Sequence, residues 1–240
     1  MKILSVETSG RTGSVALLMD GKCLCEQSLE TAGRRHAQTL VAEARRVMME
    51  NDAELSDCSA VAVSHGPGSF TGLRVGIVFA KTMAYATGCK IIAVNTMECI
   101  AQRAPKDLDR LHVICDAQRG DVFVNVFEID DRGQWFTSAP TRIQSAAEWF
   151  TSVMPRDGIS GPAIGRFGDL IGQHPNLIEP DLRLPTATSQ GIIAVHAFQQ
   201  QDFADPFELE PFYLRKSSAE EKWEAEHPAN NQPGHQSDDQ

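Results

Sequence analysis

The chain has 240 residues, 42% of them hydrophobic and 22% charged, enough for one large or two small domains with a real core and too long for a disulfide- or metal-stapled miniprotein. Its 22 Lys and Arg against 32 Asp and Glu leave a net charge of −10, which disfavours an electrostatic grip on a polyphosphate chain unless another subunit supplies it. The most apolar stretch, Val75 to Ala86, is interrupted by Lys81 and too short for a membrane span, and the first residues lack a signal peptide's basic head and apolar run, so a cytoplasmic protein with no membrane contact is expected.

Lys2 to Ser9 sets Ile3, Leu4 and Val6 among smaller or polar residues, Gly10-Arg11-Thr12-Gly13 breaks the run, and Ser14 to Met19 resumes it. This pattern predicts a hairpin. Asp20-Gly21 is a second tight-turn signal leading into a strand from Lys22 to about Leu29, so the chain opens as an antiparallel meander. From His36 to Asn51, Ala37, Leu40, Val41, Ala44, Val47 and Met48 recur at three-four spacing and make an apolar helical stripe. A strand at Ala60–Ser64 follows, then the loop Gly66-Pro67-Gly68-Ser69-Phe70-Thr71-Gly72 and a helix to about Thr87, with Gly88 as its stop. A strand at Lys90–Val94 leads into a helix that Asn95 or Thr96 can cap.

After Ala104-Pro105 the order begins again, with strands at Leu111–Cys115, Asp121–Ile129 and Gln134–Thr137. Ser145-Ala146-Ala147-Glu148 reads as a capping box, and Ser189–Gln200 as the last long helix. A shorter copy of the first half implies two related lobes, 1–105 and 106–216. From residue 217 to 240 six acids face one base, and Trp223 is the only large apolar residue. This segment is expected to be a disordered acidic tail. The six cysteines form no CxxC pair and are expected to be buried reduced thiols. No two histidines stand three or four apart, so no helical His metal pair is expected.

Glycines between a strand and a helix N-terminus can present backbone N–H groups to an anion. Gly66, Gly68, Ser69, Thr71 and Gly72 are therefore candidate phosphate or nucleotide contacts, although no Gly-Lys-Ser/Thr closes the loop and its spacing is not G-x-G-x-x-G. The other reading is structural, with the glycines permitting a tight turn and close packing. The helix behind the loop is apolar nearly all round, with Gly72, Gly76, Ala80 and Ala84 as a ridge of small residues. Such a helix needs cover on more than one side, part of it expected from the helix starting at His36 and part from another subunit. Glu7 and Asp116 are carboxylates that could stand near a phosphate, but they read better as a strand-end residue and a turn-former. Neither a His pair nor G-x-S-x-G is present, so neither a metal nor a catalytic residue is assigned.

Val63-Ser64-His65-Gly66-Pro67-Gly68-Ser69-Phe70-Thr71-Gly72-Leu73-Arg74-Val75-Gly76 resembles the signature of the TsaB (YeaZ-type) family, whose members help make threonylcarbamoyladenosine in tRNA. Leu4-Ser5-Val6-Glu7-Thr8-Ser9, Arg35-His36-Ala37, Cys115 to Phe123 and Glu210 to Arg215 are similar to it in the same order, with Glu7, Gln118 and Asp121 where relatives more often show Asp, Arg and Glu. The resemblance implies an α/β actin-like ATPase (ASKHA) fold of two related lobes, each a mixed sheet flanked by helices. It implies a noncatalytic subunit that supports a larger homologue, TsaD, which transfers the threonylcarbamoyl group. A small ATPase, TsaE, joins that assembly, tRNA is reached through the complex, and a homodimer is expected when the chain is alone. The implied interface is His36, Leu40, Ala44, Val47, Leu73, Gly76, Ile77, Ala80, Met83 and Ala84. No intrinsic cofactor is expected, ATP or ADP being placed at the subunit interface. The alternative is a small ATP-dependent phosphotransferase or ATPase of the same superfamily.

Overall fold

A computed structural model describes residues 1–29, 36–137 and 139–212, with residues 36–38 described by backbone alone. The tail read at 217–240 and the side chain of His36 lie outside the described residues.

The opening meander forms as expected from β1 (Lys2–Glu7), β2 (Ser14–Met19) and β3 (Lys22–Ser28). Asp20 and Gly21 make the tight turn with φ of +50° and +82°. Helix α1 (His36–Met49) crosses to β4 (Ala60–Gly66), and α2 (Phe70–Thr87) crosses to β5 (Lys90–Asn95). Parallel neighbours need such crossovers, and the sheet order is β3-β2-β1-β4-β5, with β1, β4 and β5 parallel. Gly88 ends α2 at φ +76°, the left-handed stop read from the sequence.

Helix α3 (Thr96–Ala101) is capped by Asn95, whose Oδ1 accepts the Met97 N–H at 2.8 Å. The second sheet then forms from β6 (Leu111–Asp116), β7 (Asp121–Ile129), β8 (Trp135–Phe136), β9 (Arg142–Ser145) and, after α4 (Ala146–Thr151), β10 (Gly158–Ser160). A hairpin comes first, and a parallel strand is then laid beside its first member, repeating the logic of the first sheet. The capping box read at Ser145 does not form. Ser145 is still paired in β9 opposite Asp121, and its side chain makes no capping bond.

Inside this lobe a polar network is closed around Asp157. The carboxylate accepts from Arg110 at 2.7 and 3.1 Å and from the Met154 N–H at 2.9 Å. The Trp149 indole N–H donates to His112 Nδ1 at 3.1 Å, so the ring proton sits on Nε2 and points to Asp157 at 3.2 Å.

A short helix α5 (Gly168–Ile171) precedes α6 (Ala187–Gln199), which starts two residues before the expected Ser189. Thr186 caps α6 by accepting the Ser189 N–H at 3.1 Å. Sequence order places this helix in the 106–216 lobe, whereas in space it covers the first sheet. Alternate residues of β1 point to opposite faces. Leu4 and Val6 join the core under α1 and α2, while Ile3 joins Ala60, Ala62, Ile92, Val94 and, from α6, Ala194. Gly191 makes this seat possible, since a Cβ there would lie 2.1 Å from Leu18 Cδ1.

Cys58, Cys99 and Cys115 are buried, and burial pushes the Cys58 and Cys115 thiols up to about 12. The expectation of buried thiols fails at Cys23, which is exposed on the outer strand β3.

Candidate functional site

Strands β1, β4 and β5 finish at one edge of the first sheet, where Val6 faces Val63, Ser64 faces Val94 and Gly66 faces Asn95. The loop Gly66–Gly72 leaves from this edge, with a cis Gly66–Pro67 bond. Ser69 caps α2 through its Oγ, which accepts the Gly72 N–H at 3.3 Å, and its own N–H donates to Ser9 O at 2.7 Å. A Cβ on Gly68 would lie 2.6 Å from Ser9 O, one on Gly72 2.0 Å from Thr8 O, and one on Gly76 2.4 Å from Thr8 Oγ1. These glycines let the turn after β1 press onto the start of α2, a contact that Thr8 Oγ1 fixes by donating to Gly72 O at 2.8 Å.

An anion cradle needs outward N–H groups. Those of Ser69 and Gly72 are turned to protein acceptors, Ser9 O and Ser69 Oγ. Gly66 and Gly72 are buried, while Gly68, Ser69 and Thr71 lie at the surface. The loop also carries a cover. Residues 204–212 run from a hydrogen bond between Ala204 N–H and Ile91 O to one between Phe212 N–H and His65 O, at 2.9 and 2.7 Å. The Phe212 ring stands 5.8 Å from the His65 ring. Burial lowers the His65 pKa, against a hydrogen bond to the Val94 backbone. Ser69 is thus committed to the helix cap and His65 to this packing.

Glu7 is fully buried. Its Oε1 accepts from the Ser9 N–H and the Ser9 hydroxyl, both at 2.5 Å, while Oε2 has no hydrogen-bond partner. Gln190 of α6 donates to Ser5 Oγ and Val6 O at 3.0 Å, leaving its own buried Oε1 unpartnered. Asp116 behaves as a turn-former. It accepts the Gln118 N–H at 2.7 Å and pairs with Arg166, and Gln118, Arg119 and Gly120 turn with φ of +64°, +54° and +87°. Among the described residues no three His, Cys, Asp or Glu side chains form a group that could hold a metal ion, and no helix is long and apolar enough to cross a membrane.

The expected partner interface needs correction. Leu40, Ala44, Val47, Leu73, Gly76, Ile77, Ala80, Met83 and Ala84 are all buried within the chain. The ridge of small residues seats α2 on its own sheet, with Gly76 over Val63 and Thr8, rather than admitting another subunit. The outward surface of the two helices carries other residues: Val41 and Met49 on α1, and Val78 and Tyr85 on α2, between 56% and 94% exposed. Spacings of eight residues on α1 and seven on α2 were the available sequence signal, because each places two side chains on one helical face. The residues that fill the glycine loop, Thr8, Ser9 and Phe212, lie too far away in sequence for any local pattern to find them.

A family model described as "TsaD: tRNA N6-adenosine threonylcarbamoyltransferase" matches residues 30–139. The chain is 28% identical over 235 residues to the tRNA threonylcarbamoyladenosine biosynthesis protein TsaB of Escherichia coli (strain K12), covering 92% of this chain and 98% of that protein. It is also 28% identical over 232 residues to the TsaB of Bacillus subtilis (strain 168), covering 93% and 98%. The solved structure of YeaZ from Pseudomonas aeruginosa superposes with a TM-score of 0.76 at 26% identity, over 89% of this chain and 99% of that one. The fold is thus the two-lobed actin-like ATPase arrangement expected from the sequence.

Proposed function

With the resemblance to the TsaB (YeaZ-type) family borne out along nine-tenths of the chain, we propose that it serves threonylcarbamoyladenosine formation in tRNA as a noncatalytic subunit. The likeness to TsaB proteins over nearly the full length of both chains carries this reading. The filled glycine loop supports the noncatalytic part, because two of its N–H groups are spent on Ser9 O and Ser69 Oγ. The chain pairs with a TsaD-like homologue through the exposed face of α1 and α2, where apolar side chains stand unpartnered on two adjacent helices. A TsaE-like ATPase completes the assembly, and tRNA is held through the complex, consistent with the net charge of −10. ATP or ADP binds between subunits, in the cytoplasm, and the same helical face joins two copies when the partner is missing.

The test is reconstitution from purified TsaD-like, TsaE-like and tRNA components, with and without this chain. Modified adenosine that forms only when the chain is present, together with no ATP turnover by the chain alone, is the expected result. Stoichiometric ATP binding with hydrolysis by the isolated chain overturns it in favour of a small ATPase.

A further inference from the structure

Glu7 ends β1 on the sheet face that α6 covers, two positions from Ser5 and beside Ser64 of β4. Among the described residues, the groups that act on Glu7 are neutral or acidic. Ser9 donates twice to Oε1, and Gln190 spends its amide N–H groups on Ser5 and Val6. The Gln190 Oε1 is buried without a partner of its own. From the other packed elements come the thiols of Cys99 on α3 and Cys115 on β6, and the carboxylate of Glu26 on β3. None of the ion pairs among the described residues includes Glu7.

A buried carboxylate with one oxygen unpartnered and no cation beside it is strongly disfavoured, and the inexpensive remedy is to take up a proton. A proton on Oε2 removes the charge and leaves the Ser9 hydrogen bonds to Oε1 in place. We propose that Glu7 is held as a neutral acid whose proton is part of the folded structure, making this cluster a pH-sensitive joint between the first sheet and the elements packed over it. Burial raises the Glu7 carboxyl above its ordinary value, more than the Ser9 hydrogen bonds lower it, and the charge of Glu26 acts in the same direction as burial.

The folded chain therefore binds this proton more tightly than the unfolded chain. Its contribution is complete below the unfolded value near 4.5 and is lost as pH rises toward the folded value. Glu7→Gln keeps the neutral shape and cannot ionise. In urea titrations of the full chain between about pH 5 and pH 7, the folding constant of Glu7→Gln relative to wild type should rise roughly tenfold per pH unit until Glu7 ionises in the folded state. A ratio that stays flat overturns the proposal. Should the variant fail to fold, the carboxyl ¹³C resonance of Glu7 in the wild-type protein at neutral pH decides the matter. A protonated position supports the joint, and a carboxylate position overturns it.

Discussion

Glu26 on β3 holds the first turn of α6, its carboxylate accepting the Ala187 N–H at 2.9 Å across 161 residues of sequence. The same carboxylate accepts the Thr188 hydroxyl at 2.6 Å, and Ser14 Oγ shares the Ala187 N–H at 2.8 Å. A carboxylate at a helix N-terminus adds a charged acceptor for the first-turn N–H groups and complements the helix dipole. Glu26→Ala should lower unfolding stability by about 1 kcal/mol, the usual cost of a lost cap, read by urea denaturation. Glu26→Gln should recover part of it, because the amide oxygen still accepts.

The glycines near the loop separate by what surrounds them. Gly72→Ala places a methyl carbon 2.0 Å from the Thr8 carbonyl oxygen, a backbone atom that cannot give way cheaply. It should cost several kcal/mol and shift the melting midpoint by more than ten degrees. Gly88→Ala meets nothing within 4 Å and suffers only the left-handed backbone at φ +76°, so a cost of about 1 kcal/mol is expected. Equal losses at the two sites would contradict this assignment.

Partner binding and folding should be separable on α2. Tyr85→Ala removes a side chain that is 94% exposed and should leave stability within about 0.5 kcal/mol of wild type. Its effect should instead appear as roughly 30-fold weaker binding to the TsaD-like partner, the signature of an aromatic anchor. Ala80→Glu buries an uncompensated charge in the core and should unfold the chain before binding can be measured. Circular dichroism with a pull-down distinguishes the two variants.

Acid should weaken the second lobe through Asp157 and His112. Burial would raise the Asp157 carboxyl, but Arg110, the Met154 N–H and the His112 ring outweigh it and hold it below its ordinary value. Burial lowers His112 despite the nearby Asp157. Both groups bind protons more weakly folded than unfolded. Their contribution is present above the unfolded values, 6.5 for His112 and 3.8 for Asp157, and is lost as pH falls. Asp157→Asn should flatten the acid limb of the stability curve below about pH 4, where the wild-type carboxylate would otherwise take up its proton. Asp157→Ala should cost about 3 kcal/mol, the low end for a broken buried pair because Arg110 keeps partial access to water.

Hydrophobic period and turn residues were enough to place the meander, α1, β4, α2 and β5, because each is a local pattern with its own punctuation. Gly88 and Asn95 act as the sequence indicates. The second sheet was less legible, since β9 and β10 are only four and three residues long and so short a run shows no period. The direction of α2 is the instructive failure. A row of Gly72, Gly76, Ala80 and Ala84 permits close approach, but nothing in the row says whether a helix or a sheet approaches. The answer depends on Thr8 and Val63, more than a dozen residues or a whole strand away from most of that row. For the same reason the loop's filling by Ser9 and Phe212, and the return of α6, could not be read locally.

The return of α6 has a consequence for biosynthesis. A nascent chain that has delivered β1 through β5 still exposes Ile3, Ala60, Ala62, Ile92 and Val94, because the rib that roofs them is encoded after residue 186. The ribosome must therefore translate most of the message before this half of the molecule can close. Any fragment ending near residue 105 would carry that greasy face into solution with only Cys99 of α3 from among its helical cover.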